Sequence, residues 1–274
     1  MNLLAKSLRL YLISAKTAIV IKVFCFWAFF WLVLAGLQTV PLQSLGSAAS
    51  PIGACIAIVA TLLLIVALLR IDRGSLYEIG LSFTSRALPQ FVLGIGLGVA
   101  LVAAMVSAML LLTPLEIESS ANSNFLNIVG VSFVVLLALA MMEELAFRSY
   151  SLFELRQAWG IRPAVYVTSI AFAFYHGLAF ENLLGPGVWG IFFGWMAIST
   201  NSIARPTGFH MGLNWLQALM GMKPEYSKSV WDLSVGTSSG YIGVEELGLV
   251  MQVVLLVAGI SIVELLVARQ SKGA

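Results

Sequence analysis

Eight stretches of this chain run for seventeen or more residues without a charged side chain: 23–40, 52–69, 87–115, 119–142, 163–180, 182–204, 206–222 and 247–263. A helix that crosses a bilayer needs about 20 mostly apolar residues, so runs of this kind have few other destinations. The rest of the composition agrees, with 60% hydrophobic and only 10% charged residues in 274 and a mean hydropathy of +0.97. The chain is therefore read as an all-α, polytopic membrane protein with about eight transmembrane helices. No stretch is left for a separate soluble domain. A net charge of +2 gives no footprint for nucleic acid.

Threading eight spans assigns each connecting segment to a side. One side receives Lys6, Arg9, Lys16, Lys22, Arg70, Arg73, Arg86, Arg148, Arg156, Arg162, Arg205, Arg269 and Lys272, thirteen of the fifteen basic residues. The other receives Lys223 and Lys228 with Glu116, Glu118, Glu181, Glu225, Asp232, Glu245 and Glu246. Cytoplasmic loops carry the excess of Lys and Arg, which places both termini in the cytoplasm and the chain in the plasma membrane. Leu4, Leu8 and Tyr11 recur at helical spacing among basic residues, as in a helix lying on the membrane surface; a plain basic tail fits equally well. Cys25 and Cys55 sit in apolar spans and read as small hydrophobes. Gly94, Gly96 and Gly98 have the spacing that lets helices approach closely. Lys22 is expected to snorkel. In residues 223–246, Tyr226, Trp231 and Tyr241 read as outer-interface aromatics.

Three regions follow. Residues 1–118 hold the surface helix and three spans, 119–222 hold nearly all the membrane-embedded ionisable groups, and 223–274 form an outer loop and a final span. Ionisable residues inside a membrane are functional candidates by default. They are Glu143, Glu144 and Arg148 at the end of the fourth span, with the chain's two histidines, His176 and His210, in later spans. The sequence Trp159-Gly160-Ile161-Arg162-Pro163 reads as a helix–helix turn. Glu143 and His176 lie 17 and 16 residues from Gly160, so an antiparallel hairpin brings them to one depth. The fourth helix must then run on past its apolar stretch, carrying Arg148, Glu154 and Arg156 toward the cytoplasm. Glu144 and Arg148 are four apart and pair on one helix face. His210 and Asn214 share a face in the same way, and Phe172 lies one turn before His176.

A carboxylate amid apolar groups can act as general base toward water. A nearby histidine can orient that water or protonate a leaving amine, and an imidazole N–H with an asparagine amide can hold an oxyanion. Neither serine nor cysteine is placed as an obvious nucleophile, so the set fits hydrolysis of an amide by activated water. Each residue also has a bland reading, as packing histidine, solvated helix end or interhelical hydrogen bond, but both histidines fall in the half that holds the carboxylates. A catalytic zinc on Glu143, His176 and His210 is the rival within the enzyme class; HExxH spacing is absent, and the expectation is that no cofactor is required.

The series E-E-x-x-x-R (Glu143, Glu144, Arg148), F-x-x-x-H (Phe172, His176) and H-x-x-x-N (His210, Asn214) resembles the CPBP family of CAAX proteases and bacteriocin-processing proteins, also called Abi, which includes the type II CAAX prenyl endopeptidase. The resemblance covers about residues 125–222, with Gly190, Gly194 and Gly208 in a region where the family is also glycine-rich. It implies an intramembrane endopeptidase with its cavity among helices four to seven. Glu143 would activate water, Glu144 and Arg148 would support it, His176 would work with the water, and His210 with Asn214 would form the oxyanion site. The implied partners are the bilayer and a membrane-associated peptide or protein substrate, in a bacterial setting, and a further membrane-protein partner fits the same family. The alternatives are a non-catalytic regulator, such as a bacteriocin self-immunity factor or sensor-kinase partner, and a proton-coupled transporter. Transporters tend to show repeated halves, and none is visible here.

Overall fold

The computed structural model describes residues 3–81, 84–120, 124–236 and 241–272. Helix α1 (Leu3–Thr39) is followed by a 3-10 segment (Leu42–Ala48), α2 (Ala49–Asp72), α3 (Ala87–Leu112) and strand β1 (Leu115–Ser119). Then come α4 (Phe125–Arg148), α5 (Tyr150–Trp159), α6 (Ile161–Tyr175), a single turn α7 (Phe180–Asn182) and a π turn (Leu183–Gly187). Helices α8 (Val188–Thr200) and α9 (Ala204–Leu219), strand β2 (Trp231–Val235) and α10 (Val244–Lys272) complete the fold. It is an all-α membrane fold with one small sheet. Side chains of residues 1–14 lie outside the described part, and with them the surface placement expected for Leu4, Leu8 and Tyr11.

Each of the eight apolar runs contains a helix, yet among the described residues six helices are long and apolar enough to cross a membrane. Helices α6 and α9, of 15 and 16 residues, reach only about 22–24 Å at 1.5 Å per residue, short of the ~30 Å hydrocarbon thickness. These two carry the histidines. They are packed within the bundle, so neither has to present a full-length apolar surface to lipid. The outer helices do: Leu32, Leu63, Leu111, Val134 and Val257 are exposed, and only 11% of the α10 window is buried, against 56% of the Phe180–Thr200 span.

Two glycine pairs fix the α3–α9 contact. A Cβ on Gly94 or Gly98 of α3 would lie 2.7 or 2.8 Å from the backbone nitrogen of Phe209 or Leu213. On α9, a Cβ on Gly208 would come 2.9 Å from the carbonyl carbon of Phe91, and one on Gly212 would come 2.5 Å from the Ile95 oxygen. Backbone therefore meets backbone along two turns, the small-residue packing that membrane helices use. Gly96 faces open space. His210 stands between Gly208 and Gly212, so this contact sets its position.

The expected continuous fourth helix is instead broken at Ser149, whose φ/ψ of −94°/−111° separates α4 from α5. The carbonyls freed at the break are satisfied locally, as an apolar interior requires. Ser149 Oγ donates to Leu145 O, Ser151 Oγ donates to Ala146 O at 2.7 Å, and Trp27 Nε1 reaches the same oxygen at 3.2 Å. The break turns Arg148 into the bundle, where it is fully buried. That corrects its assignment to the basic face, which keeps twelve Lys and Arg. Lys22, expected to snorkel, pairs with Asp72 at the end of α2.

The ends of the bundle are distinct. At one, Ile203 N donates to Gly80 O at 3.0 Å, Asn201 Nδ2 donates to Tyr77 O at 3.2 Å, Phe153 of α5 touches Gly80, and Arg162 pairs with Glu264. At the other, β1 and β2 pair antiparallel with Ile117 opposite Leu233. Tyr241 N there donates to Leu112 O at 3.1 Å.

Candidate active site

Four helices converge on Glu143. Its Oε2 lies 3.5 Å from His210 Nε2 and 4.0 Å from His176 Nε2, so α4, α6 and α9 each supply one of the three groups. Behind it, His210 Nδ1 and Glu144 Oε1 are 2.9 Å apart, and Glu144 Oε2 lies 3.7 Å from Arg148 Nε. Glu144 thus touches His210 as well as Arg148, a contact the sequence spacing did not announce. Glu144 and Arg148 have no exposed surface. The fourth helix, α8, contributes Phe193, which stacks on His210 at 4.5 Å and 19°.

The histidine orientations follow from their second nitrogens. His176 Nδ1 lies 3.0 Å from the carbonyl oxygen of Phe172. A carbonyl only accepts, so Nδ1 carries hydrogen and Nε2 is the nitrogen turned to Glu143. His210 Nδ1 bonds to Glu144 Oε1, leaving Nε2 for Glu143. The 4.0 Å between Glu143 and His176 exceeds a hydrogen bond, and a water bonded to both, off the line between them, is the ordinary way to join such groups.

Arg148 is held by aromatic faces. Its guanidinium carbon lies 4.2 Å from the ring centre of Phe172, 5.1 Å from Phe193 and 5.7 Å from Phe147. None of its nitrogens has a hydrogen-bond partner in the strict geometric sense, so the ion pair and the rings carry the charge. The space for it depends on Gly190, where a Cβ would lie 2.9 Å from Arg148 Nη2. Phe172 joins the parts: it lies 4.6 Å from the His176 ring and 5.8 Å from that of His210.

A cavity of about 140 Å³ opens beside this cluster, between His176 and His210 on one side and Pro186, Trp189 and Lys223 on another. Asn214 and Gln217, one and two turns beyond His210, line the same space. Asn214 is therefore placed with the histidines but bonds to neither carboxylate. Trp189, Phe193, Gln217 and Lys223 were not singled out from sequence; Gln217, at i+7 from His210, carried the one available signal. Lys223, assigned to the non-cytoplasmic side, and Tyr226, read as an interface aromatic, are half-buried. Burial lowers the Lys223 pKa while Glu225 and Glu143 oppose that shift, and burial raises that of Tyr226. The π turn at Leu183–Gly187 shapes the cavity wall through Pro186, a feature often found at functional sites. Among the described residues no group of three or more His, Cys, Asp or Glu side chains is arranged as a metal site.

Residues 125–216 match the Rce1-like family. The family model is described as type II CAAX prenyl endopeptidase Rce1-like, and its span holds Glu143, Glu144, Arg148, His176, His210 and Asn214. This Rce1-like segment supports a CAAX-type intramembrane protease in a multi-pass membrane protein. No curated protein and no solved structure matches the chain.

Proposed function

We propose that the chain is an intramembrane endopeptidase that hydrolyses a peptide bond of a membrane-associated substrate with water activated by Glu143. The observation that carries this reading is the convergence of one carboxylate and two imidazole Nε2 atoms, at 3.5 and 4.0 Å, beside a cavity that Asn214 also lines. Glu143 takes a proton from a water shared with His176, and the hydroxide adds to the scissile carbonyl carbon. The oxyanion that forms is held by Nε2–H of His210 and the amide N–H of Asn214. Glu143 then delivers its proton to the leaving nitrogen, directly or through His176, as the C–N bond breaks to give a carboxylic acid and an amine.

The buried charges balance in this scheme. Glu144 and Arg148 neutralise each other, and the scheme assigns one proton to the Glu143–His210 pair, 3.5 Å apart. With that proton on His210, the carboxylate is free to act as base and Nε2 is a donor. Glu144 keeps the ring oriented. Nothing in the scheme routes through a metal. The prenyl substrate in the family's description is not carried over to this chain.

Comparing membrane peptides in cells that carry wild type or Glu143→Ala tests the reading. Peptides that accumulate uncleaved in the mutant are the expected result. Identical profiles, with the mutant folded and present at normal level, would leave a non-catalytic regulator as the better account.

A further inference from the structure

We infer that Lys223 is a specificity-determining residue of this site, holding a carboxylate of the bound peptide about two residues from the scissile bond. This rests on the protease reading above and adds the substrate chemistry that the cavity selects.

The way α9 ends brings Lys223 to the cavity. Gly221 has a φ of +74°, its N–H donates to Ala218 O at 3.1 Å, and Met222 N–H donates to Gln217 O at 2.9 Å. This pair of bonds around a left-handed glycine stops a helix and reverses the chain. The excursion that follows is closed at its neck, where Val230 N–H donates to Leu219 O at 2.8 Å. Within it Tyr226 N–H donates to Lys223 O at 3.2 Å, and the Tyr226 ring centre lies 5.9 Å from Lys223 Nζ. Short closed loops of this kind pack on their own side chains. The reversal returns Lys223 to the space beside α9, where it lines the cavity with His210, Asn214 and Gln217.

Lys223 brings an unmatched charge there. Apart from the two histidines, it is the one ionisable side chain among the described residues that line this cavity. No carboxylate among the described residues forms an ion pair with it. Glu225, two residues on, is exposed, and Glu143 faces the histidines. A half-buried ammonium loses hydration, and without a counter-ion nothing in the chain returns it in full. The Tyr226 face offsets only part of that loss. A bound carboxylate supplies the missing partner through a charge-assisted hydrogen bond.

The spacing along α9 sets the register. His210, Asn214 and Gln217 follow one another at i, i+4 and i+7, on one helix face. From a point midway between His210 and Asn214, where the oxyanion is held, Gln217 lies about 7–8 Å farther along the helix. Extended peptide covers that distance in about two residues. The Gln217 amide N–H is then placed for one carboxylate oxygen and Lys223 for the other. An Asp or Glu side chain and a free chain end offer the same group.

The test uses the full-length protein in detergent and a degenerate pool of internally quenched peptides, each carrying one acyl chain. The pool is made in three versions: uncharged with an amidated end, the same with one Glu in the degenerate stretch, and the same with a free C-terminal carboxylate. The readout is kcat/KM on each carboxylate version divided by that on the amidated one, a ratio that does not depend on how much protein is folded. Wild type should favour at least one carboxylate version by at least about tenfold, and the version favoured identifies the source of the group. Lys223→Gln should bring that ratio to about one, and Lys223→Arg should keep most of it. Wild-type ratios of about one on both versions, or an unchanged ratio in Lys223→Gln, would overturn the inference. Binding to the Glu143→Gln protein, read by fluorescence anisotropy with the quencher left out, separates this from the protease reading. Lys223-dependent preference in binding, with no cleavage by wild type, would keep the carboxylate site and remove the protease; Glu143-dependent cleavage of all versions alike would do the reverse.

Discussion

Arg148 is the charge this fold can least easily give up. Its side chain has no exposed surface, and its one ionic partner, Glu144, is equally buried at 3.7 Å. Arg148→Met removes the cation but keeps an apolar stem among Phe147, Phe172 and Phe193. It leaves Glu144 with only the His210 contact at 2.9 Å. Breaking a buried pair from one side costs about 3–5 kcal/mol, because a carboxylate stays behind without its counter-charge. At about 2–4 °C per kcal/mol for a chain of this size, the midpoint should fall by about 6–20 °C. Heating the detergent-solubilised protein and measuring the surviving monodisperse fraction by size exclusion reads this directly. Glu144→Gln combined with Arg148→Met removes both charges while the introduced amide oxygen still accepts from His210, so the double variant should recover most of the loss. A double variant no more stable than Arg148→Met alone would refute the reasoning, since the penalty would then be one of packing rather than of unpaired charge.

Other residues give sharper yes-or-no outcomes. Gly208→Ala drives a methyl into the Phe91 carbonyl and should cost at least about 1–3 kcal/mol, read as a lower melting midpoint with weaker peptide cleavage; Gly96→Ala, which meets nothing, should leave both unchanged. Asn214→Ala should lower kcat about 10²–10³-fold with little change in KM, the pattern of a lost oxyanion donor; a pure KM effect would assign Asn214 to substrate binding instead. Cleavage of the quenched peptide pool should persist after exhaustive chelation; activity lost with chelator and restored by zinc would contradict the metal-free scheme.

The site was legible in sequence because charge is so scarce here. In a chain that is 10% charged, Glu143, Glu144, Arg148 and the two histidines stand out without any fold. Counting from Gly160 then put Glu143 and His176 at one depth, and they lie 4.0 Å apart. Periodicity could not supply contacts between distant segments. The Glu144–His210 bond spans 66 residues, and β1 pairs with a strand more than 100 residues later. Both short histidine helices read as full spans, since hydropathy counts apolar residues without regard to whether lipid or protein covers them. The Ser149 break was hidden for a local reason: Ser149 and Ser151 satisfy the freed carbonyls, and neither is a Pro or Gly signal. Polar loops carry no mark of turning inward, so the half-buried placement of Lys223 and Tyr226 was not legible in sequence.

Purified wild type and Glu143→Gln, compared for cleavage of the quenched peptide pool, test the central claim most directly. The substitution keeps the shape of the side chain and removes its ability to take a proton from water. Cleavage should fall about 10²–10⁴-fold, the usual worth of a general base, with the melting midpoint within a few degrees of wild type. Cleavage at the wild-type rate by a folded Glu143→Gln protein would contradict the account.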